Sequence, residues 1–290
     1  HNILEGALAS EELGAGCIGI GICIDANSLA LTPLIVGGSE EQKKRVFGEL
    51  IERKGVAAYA LTEPNAGSDV ANIKTTGLKK GDKYIINGHK RFITNGEVAA
   101  YHTVFALADP ERGARSLTAF IVPTDAPGVE VISRMRKMGQ NASVQNEIKY
   151  TDVEIPLENC IGGEGRGFIL AMKTFDRTRT GVAALALGAG RTAYETSMAW
   201  AKNRIQFGNP ITANQAIAFM LADMATEMKA AELLVMEAGW KYDQGTCTDA
   251  DMAMAKLKAT EMLAMVADEA IQIFGGMGLM NELTLEPIWR

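Results

Sequence analysis

The feature that most constrains the fold of this chain is the order of its sequence patterns, which change from helical to strand-like and back to helical. Between Val56 and Cys160 the sequence consists of short runs rich in Ile, Val, Phe, Tyr and Thr, such as KYIING, HTVFALA and SLTAFIV. Turn-forming segments such as KKGDK and DPERGA separate these runs. Short, closely spaced strands favour an antiparallel barrel or sandwich over β–α–β units. We therefore predict an α+β chain with a central antiparallel β domain.

The blocks on either side carry helical patterns. Ser39 to Gln42 form a capping box before KKRVFGELIER, and Gly55 is predicted to end that helix in the C′ position. Three long amphipathic segments, joined by short links as in an antiparallel bundle, follow at about 166–204, 212–243 and 248–274. The predicted domains are N-terminal helical, central β and C-terminal helical, over residues 1–55, 56–160 and 161–290.

Composition argues against several classes of protein. The net charge is −6, from 29 Lys and Arg against 35 Asp and Glu, so a nucleic-acid-binding surface is disfavoured. The longest apolar-rich stretch without a charge, Leu13 to Ile24, is shorter than the ~20 residues of a membrane span, and we predict no span. The four cysteines lack Cys-x-x-Cys spacing and indicate free thiols in a reducing compartment. The three histidines lie beside no acidic or cysteine cluster, so no metal site is predicted.

A glycine pattern near the N-terminus matches a dinucleotide-binding motif. Residues 14–19 read GAGCIG, which fits G-x-G-x-x-G. That motif binds a dinucleotide only where it follows a strand and opens a helix. The preceding LEGALASEEL is helical in texture. We therefore interpret the glycines as a join between packed helices.

Two polar motifs in the β block suggest a binding site. In YALTEPNAGSDV, Pro64 fixes φ and Gly67 can take a positive φ, so residues 63–68 are expected to turn sharply. Backbone N–H groups and the hydroxyls of Thr62 and Ser68 would then suit a phosphate or the edge of a polar heterocycle. The alternative is an ordinary loop whose polar side chains bond only their own backbone.

The second motif is KRFITNG, at a strand end beside a turn. An aromatic side chain at Phe92, followed by Ile93 and Thr94, can cover a flat ring and hydrogen-bond to it. The alternative is an ordinary strand with a buried Phe.

Together these motifs resemble the acyl-CoA dehydrogenase family, whose signature is a Thr-Glu-x-x-x-Gly-Ser-Asp loop. The resemblance continues through MGQNASVQNEIKYTDVEIP, FDRTRTGVAA, AKNRIQFGNPITANQAIAFMLADM and AIQIFGGMGLMNE, and covers essentially the whole chain. It implies a helical–β–helical subunit, in agreement with the three blocks. It also implies an FAD-dependent enzyme of fatty acid β-oxidation that converts an acyl-CoA thioester to the trans-2,3-enoyl-CoA.

The resemblance implies that FAD lies between the β domain and the C-terminal helices and is gripped by a neighbouring subunit of a homotetramer. It places Thr62 at the pyrimidine edge of the flavin, the Thr94 hydroxyl at flavin N5 and Arg204 at the pyrophosphate. The implied cofactor-binding residues are Tyr59, Leu61, Thr62, Gly67, Ser68, Phe92, Ile93, Thr94, Arg204, Phe207, Asn214, Gln215, Gln272, Phe274, Gly275 and Gly276. The alternative for the last two glycines is a helix C-cap.

For the substrate, FDRTR resembles the helix segment that meets CoA and lines the acyl cavity. The alternative is an ordinary ion pair of Asp176 and Arg179, at i and i+3 on a helix face. The implied substrate-binding residues are Ser68, Phe175, Asp176, Thr178 and Arg179.

This chain departs from the family pattern at three places. Phe92 stands where many relatives carry Trp, and Gln206 where Thr or Ser is frequent. The family's catalytic base, a Glu, would fall roughly nine residues beyond Arg290. A minority of relatives place the base at the position of Thr178, and Thr is no base. We therefore name no catalytic residue and expect the chain to be a piece of a longer protein, truncated at both ends.

The implied partners are an acyl-CoA and electron-transfer flavoprotein, and a short or medium acyl chain is favoured. An acyl-CoA oxidase or an enoyl-CoA reductase on the same fold remains an alternative, as does a flavin-free homologue. A DNA-binding adaptive-response homologue would need a basic surface, which the net charge disfavours. The implied location is the bacterial cytoplasm or the mitochondrial matrix.

Overall fold

The computed structural model describes residues 2–290 and has the predicted order of helices, strands and helices. The helices are α1 (Ile3–Gly37), α2 (Glu40–Arg53), α3 (Gly167–Asn203), α4 (Gln215–Asp243), α5 (Asp249–Phe274) and α6 (Leu285–Trp289). The strands are β1 (Val56–Ala60), β2 (Thr76–Lys80), β3 (Lys83–Thr94), β4 (Ala99–Leu107), β5 (Leu117–Pro123), β6 (Val129–Arg134), β7 (Gln145–Pro156), β8 (Cys160–Ile161), β9 (Ile205–Gln206) and β10 (Asn209–Pro210). The predicted fold class is confirmed.

The main sheet has eight strands and is mixed rather than purely antiparallel. Its order is β6-β7-β3-β2-β4-β5-β8, and β1 pairs with β4. The β1–β4 pairing is parallel, whereas β3 with β7 and β4 with β5 are antiparallel. A parallel partner needs a long connection, and the segment containing β2 and β3 supplies it. The prediction of an antiparallel domain is thus corrected for β1, which carries the first polar motif.

Two local predictions about the N-terminal helices have different outcomes. The capping box of α2 is present, with the Ser39 side chain accepting from the Gln42 N–H. Lys54, and not Gly55, takes the left-handed conformation after α2, with φ 48°. The Gly55 N–H instead bonds the Leu50 carbonyl at 2.8 Å, so Gly55 lies one residue later in the cap than predicted.

The glycine pattern at residues 14–19 is a join between helical segments, as interpreted. Cys17 has extended backbone angles (φ −166°, ψ 110°) that interrupt α1. A Cβ at Gly14 would overlap the backbone of Leu185 in α3, so this glycine permits close helix contact. No strand precedes the motif among the described residues, which rules out the dinucleotide-binding geometry.

The described chain forms two compact units. The helical unit comprises 2–22, 138–140 and 176–290, and the sheet unit comprises 23–137 and 141–175. The core of the helical unit is built from α3, α4 and α5, with Met224, Val235 and Val266 fully buried. The sheet unit has two apolar clusters, one including Phe105 and the other Phe120. The three-domain division given above stays a prediction.

By length and composition alone, two helical stretches would suffice to cross a membrane. They are Ile3–Gly37 and Asp249–Leu279, and unlike the stretch from Leu13 to Ile24 both contain charged residues. Core helices pass the same test, and Met262, Val266 and Ile273 of α5 are buried in the apolar core of the helical unit. We interpret α5 as such a core helix.

Candidate functional site

The first polar motif forms a tight turn directly after β1. The Glu63 N–H donates to the Ala66 carbonyl at 3.0 Å, and the Ala66 N–H donates back to the Glu63 carbonyl at 3.2 Å. Pro64 lies inside this turn, as predicted. Gly67 does not use a positive φ, so the turn rests on the Glu63–Ala66 pairing instead. A Cβ at Gly67 would meet no atom within 4 Å, which leaves open space beside the loop.

Beneath this turn lies a buried ion pair between Glu63 and Lys90. The Lys90 Nζ donates to Glu63 Oε1 at 2.9 Å and to the Leu61 carbonyl at 2.8 Å. Burial alone would raise the pKa of Glu63, but the Lys90 charge and hydrogen bonds from Thr75, Lys74 and Lys90 bring that pKa below its usual range. Burial lowers the pKa of Lys90, and Glu63 opposes that shift. The Glu63 carboxylate is therefore ionised and fully engaged in hydrogen bonds within the protein.

The structure brings the two polar motifs side by side. The Arg91 N–H of β3 donates to the Thr62 carbonyl at 2.8 Å. Phe92 follows at a bulge in the β3–β7 pairing, has a φ of 60° and leaves 52% of its side chain exposed. The alternative of a buried Phe is therefore wrong, and the role of the exposed Phe92 ring beside a flat ligand stays a prediction. Ile93 is buried and Thr94 half-buried, so an aromatic ring and a hydroxyl end the strand together.

Tyr59 on β1 carries a polar group that the described residues leave without a partner. Its buried hydroxyl has no hydrogen-bond partner. Its ring contacts Phe105 and the predicted substrate residue Phe175, with centroid distances of 5.0 Å and 5.9 Å. Burial raises the pKa of Tyr59, so the hydroxyl stays protonated and able to donate.

These observations provide a test of whether the sheet unit fits a flavin. A bound heterocycle needs a flat apolar surface, polar groups at its edge and room for its phosphates. Phe92 supplies the flat apolar surface. The hydroxyls of Thr62, Thr94 and Tyr59 supply the polar groups, and that of Tyr59 has no other partner among the residues described. The open space beside Gly67 and the exposed Ser68 leaves room for the phosphates. The residues fit the group.

In the helical unit, two of the predicted cofactor residues are linked by an aromatic stack. The Arg204 guanidinium lies 5.7 Å from the ring centroid of Trp200. The Trp200 ring stacks on Phe274 at 4.7 Å with an 18° angle between the planes. Gly275, with φ 61°, caps α5, as the alternative interpretation expected. Trp200 was not singled out from the sequence, where its position after YETSMA resembles any apolar helix position.

The other predicted cofactor residues of the helical unit are solvent-exposed. Phe207 sits at the tip of the β9–β10 hairpin, 99% exposed, and it and Gly208 both have positive φ. That is the backbone of a tight two-residue hairpin turn. Asn214 and Gln215 begin α4, and the Asn214 side chain makes no capping bond. Gln272 and Gly276 are exposed near the end of α5.

The predicted substrate residues divide between the two units. Ser68 and Phe175 belong to the sheet unit, and Asp176, Thr178 and Arg179 to the helical unit. Arg179 Nη1 lies 2.5 Å from Asp176 Oδ1, and both side chains are about a third exposed. The i, i+3 pair of the alternative interpretation is therefore present, and it holds a cation and an anion at fixed positions on α3.

Comparison with known proteins matches three domains of one family along the chain. The matches are the N-terminal domain of acyl-CoA dehydrogenase over residues 1–54, the middle domain over 58–153 and the C-terminal domain over 165–290. A short-chain specific acyl-CoA dehydrogenase of Megasphaera elsdenii is 40% identical over 283 residues, or 97% of this chain and 74% of the relative.

Solved structures are similar over almost the whole chain. A chain in the structure of the electron transferring flavoprotein of Acidaminococcus fermentans has a TM-score of 0.96 and 42% identity, covering 99% of this chain and 76% of that one. The structure of PigA with FAD and proline has a TM-score of 0.94 and 34% identity, covering 99% and 76%. The predicted resemblance is confirmed, and the chain belongs to the acyl-CoA dehydrogenase family.

Proposed function

We propose that this flavoprotein oxidoreductase uses FAD to oxidise a short-chain acyl-CoA to its trans-2,3-enoyl-CoA and passes the electrons to an electron-transfer flavoprotein. The observation that carries the proposal is the Arg91–Thr62 backbone hydrogen bond, which places the loop of the first motif beside Phe92 and Thr94. The similarity to the short-chain specific enzyme of Megasphaera elsdenii supports the substrate class. The similarity to the Acidaminococcus fermentans structure supports the electron acceptor.

The chain's own residues bind and orient the reactants in this proposal. When bound, FAD supplies the hydride-accepting chemistry. Thr62 and Thr94 would hold the polar edges of the flavin, and Phe92 would cover its face. Gly67 and Ser68 would line the phosphates and the thioester. On α3, the Asp176–Arg179 pair would contact CoA, with the cation fixed in place before the ligand arrives.

We assign no general base. Glu63 is excluded because its carboxylate is buried, ionised and occupied by Lys90 and two backbone N–H groups. Thr178 carries a hydroxyl that does not accept a proton at neutral pH. Removal of the α-proton from the thioester thus falls to a group outside the residues assigned here.

The test is a visible absorption spectrum of the protein purified without oxygen, before and after addition of acyl-CoAs of increasing chain length. We expect flavin bands that bleach on addition of butyryl-CoA and bleach less with long-chain acyl-CoAs. Rapid recovery of the bands in air, with release of hydrogen peroxide, would instead identify an oxidase. Absence of flavin from the purified protein would contradict the proposal.

A second candidate is the reverse reaction, reduction of an enoyl-CoA. The similarity to a structure described in terms of flavin-based electron bifurcation favours it, because an electron-transferring flavoprotein can deliver electrons to a partner as well as accept them. Bleached flavin that regains its bands on addition of crotonyl-CoA would reveal this direction.

We also propose that the enzyme is a homotetramer in the bacterial cytoplasm or the mitochondrial matrix. Support for assembly comes from Phe207 at the hairpin tip, since a fully exposed aromatic ring on a rigid turn is suited to contact with a second copy.

A further inference from the structure

We propose that Glu63 and Lys90 are positioning residues that clamp the flavin-facing loop onto β3 and thereby control FAD binding and the reactivity of the bound flavin. This inference rests on the proposed function, since it assumes that the loop after β1 faces FAD. It assigns a role to two residues that do not themselves contact the reacting atoms.

Glu63 closes the base of the loop. Its Oε2 accepts the Lys74 N–H at 2.7 Å, and its Oε1 accepts the Thr75 N–H at 2.9 Å. The chain between Glu63 and Lys74 contains the turn, Gly67, Ser68 and a short 3₁₀ segment. One carboxylate therefore ties the beginning of this loop to its end.

Lys90 fastens this closed loop to β3. Its Nζ bonds both the Glu63 carboxylate and the Leu61 carbonyl, on either side of Thr62. The next residue of β3, Arg91, bonds the Thr62 carbonyl itself. Three successive residues of the first motif are thus fixed to two successive residues of the strand that carries Phe92 and Thr94.

The burial of this ion pair is costly in free energy. Lys90 is fully buried and Glu63 is 7% exposed, and bringing two charges into a protein interior costs several kcal/mol. Apolar residues of similar size would serve stability as well or better. They would not bind the Leu61 carbonyl, nor the two N–H groups at the far end of the loop. The position of the loop, rather than stability of the sheet, is what this pair provides.

The experiment compares Lys90→Met and the double variant Glu63→Gln/Lys90→Met with the wild-type protein. The double variant removes both charges together and so avoids leaving an unpaired carboxylate in the core. Lys83→Met is the matched control, because Lys83 lies on the same strand and pairs with Glu154 at an exposed site. The measurements are the Kd of FAD for the apoprotein, the reduction potential of the bound flavin and the far-ultraviolet circular dichroism.

We expect the double variant to keep the wild-type circular dichroism while its Kd for FAD rises about tenfold or more, the usual effect of removing a group that orients a binding residue. Its flavin potential should shift, whereas Lys83→Met leaves both quantities unchanged. A folded double variant with wild-type Kd and potential would overturn the proposal. A wild-type protein that binds no FAD would instead contradict the proposed function.

A measurement on the wild-type protein applies even where a variant fails to fold. If the clamp is closed in solution, the Lys74 and Thr75 amides should exchange with solvent as slowly as the paired amides of β3. Fast exchange at these two amides, with slow exchange in β3, would overturn the proposal.

Discussion

At the residue scale, His102 on β4 is a buried polar group whose hydrogen bonds define its charge state. Its Nε2 lies 2.9 Å from the Gly96 carbonyl, and its Nδ1 lies 2.8 Å from the Tyr150 hydroxyl. Because a carbonyl only accepts, Nε2 carries the proton and Nδ1 accepts from Tyr150. Burial lowers the pKa of His102 to about 4, so the ring stays neutral and holds the turn that follows Thr94.

This histidine should make the protein less stable in acid. Between pH 6.5 and about 4, His102 is protonated in the unfolded chain but stays neutral in the folded chain. The free energy of unfolding therefore falls as the pH falls. The loss approaches roughly 3 kcal/mol by pH 4. Urea titrations across this pH range should show a shallower decline for His102→Gln than for the wild-type protein. Parallel curves for the two proteins would show that His102 does not titrate in this way.

Single residues differ in whether their roles can be predicted from the sequence. Thr62, Phe92 and Thr94 can be proposed as site residues from local motifs, because those motifs depend on residue type and short spacing. Lys90 is not, since a lysine in GHKRFITNG looks like any exposed strand residue. Its burial depends on Glu63, which lies 27 positions away in the sequence. Long-range pairing of this kind leaves no local pattern.

At the scale of elements, glycines set the contact between α1 and α3. A Cβ at Gly188 would overlap the Glu11 carbonyl oxygen, a backbone atom that no rotamer change can move. Gly188→Ala should therefore separate the helices and cost about 1–3 kcal/mol or more in the free energy of unfolding. Gly6→Ala is the matched control, because nothing lies within 4 Å of its Cβ position. The control should be neutral or stabilise by up to about 1 kcal/mol, since alanine favours helix.

Chemical denaturation of both variants measures these differences. Equal free energies for Gly188→Ala and the wild-type protein would mean that α1 and α3 do not pack as closely as the structure has them.

Elements were predicted with different success for a physical reason. The helix bounds 167–203, 215–243 and 249–274 differ from the predicted ones by at most three residues. Helical periodicity and capping residues involve positions close together in the sequence, so they can be recognised without knowledge of the rest of the fold. The parallel pairing of β1 with β4 could not be predicted from the sequence, because β2 and β3 lie between Val56 and its partner Ala99 along the chain. Strand composition fixes neither the partner nor its direction.

At the scale of the whole molecule, the helical unit exposes more large apolar side chains than isolated surface positions would explain. Several of those that are more than half exposed lie on the β9–β10 hairpin, α4 and α5, namely Phe207, Phe219, Leu233, Trp240 and Leu257. Exposed apolar surface of this extent is typical of association sites. Burial against another copy of the chain would remove it from water, at about 25 cal/mol for each Å².

The hairpin gives the sharpest test of this association. The Phe207 side chain is not packed against its own subunit, because the residue is 99% exposed, and Phe207→Ser keeps a non-glycine residue at the positive φ of this position. Phe207→Ser should therefore leave circular dichroism and thermal unfolding of the dissociated subunit unchanged. It should shift the sedimentation-equilibrium mass from that of the proposed tetramer towards smaller species and weaken FAD retention with it. Ile51→Ser, which alters another exposed apolar residue in the sheet unit, is the control and should leave the mass unchanged. A Phe207→Ser protein with the wild-type mass and FAD content would contradict the assignment of this hairpin to the contact between copies.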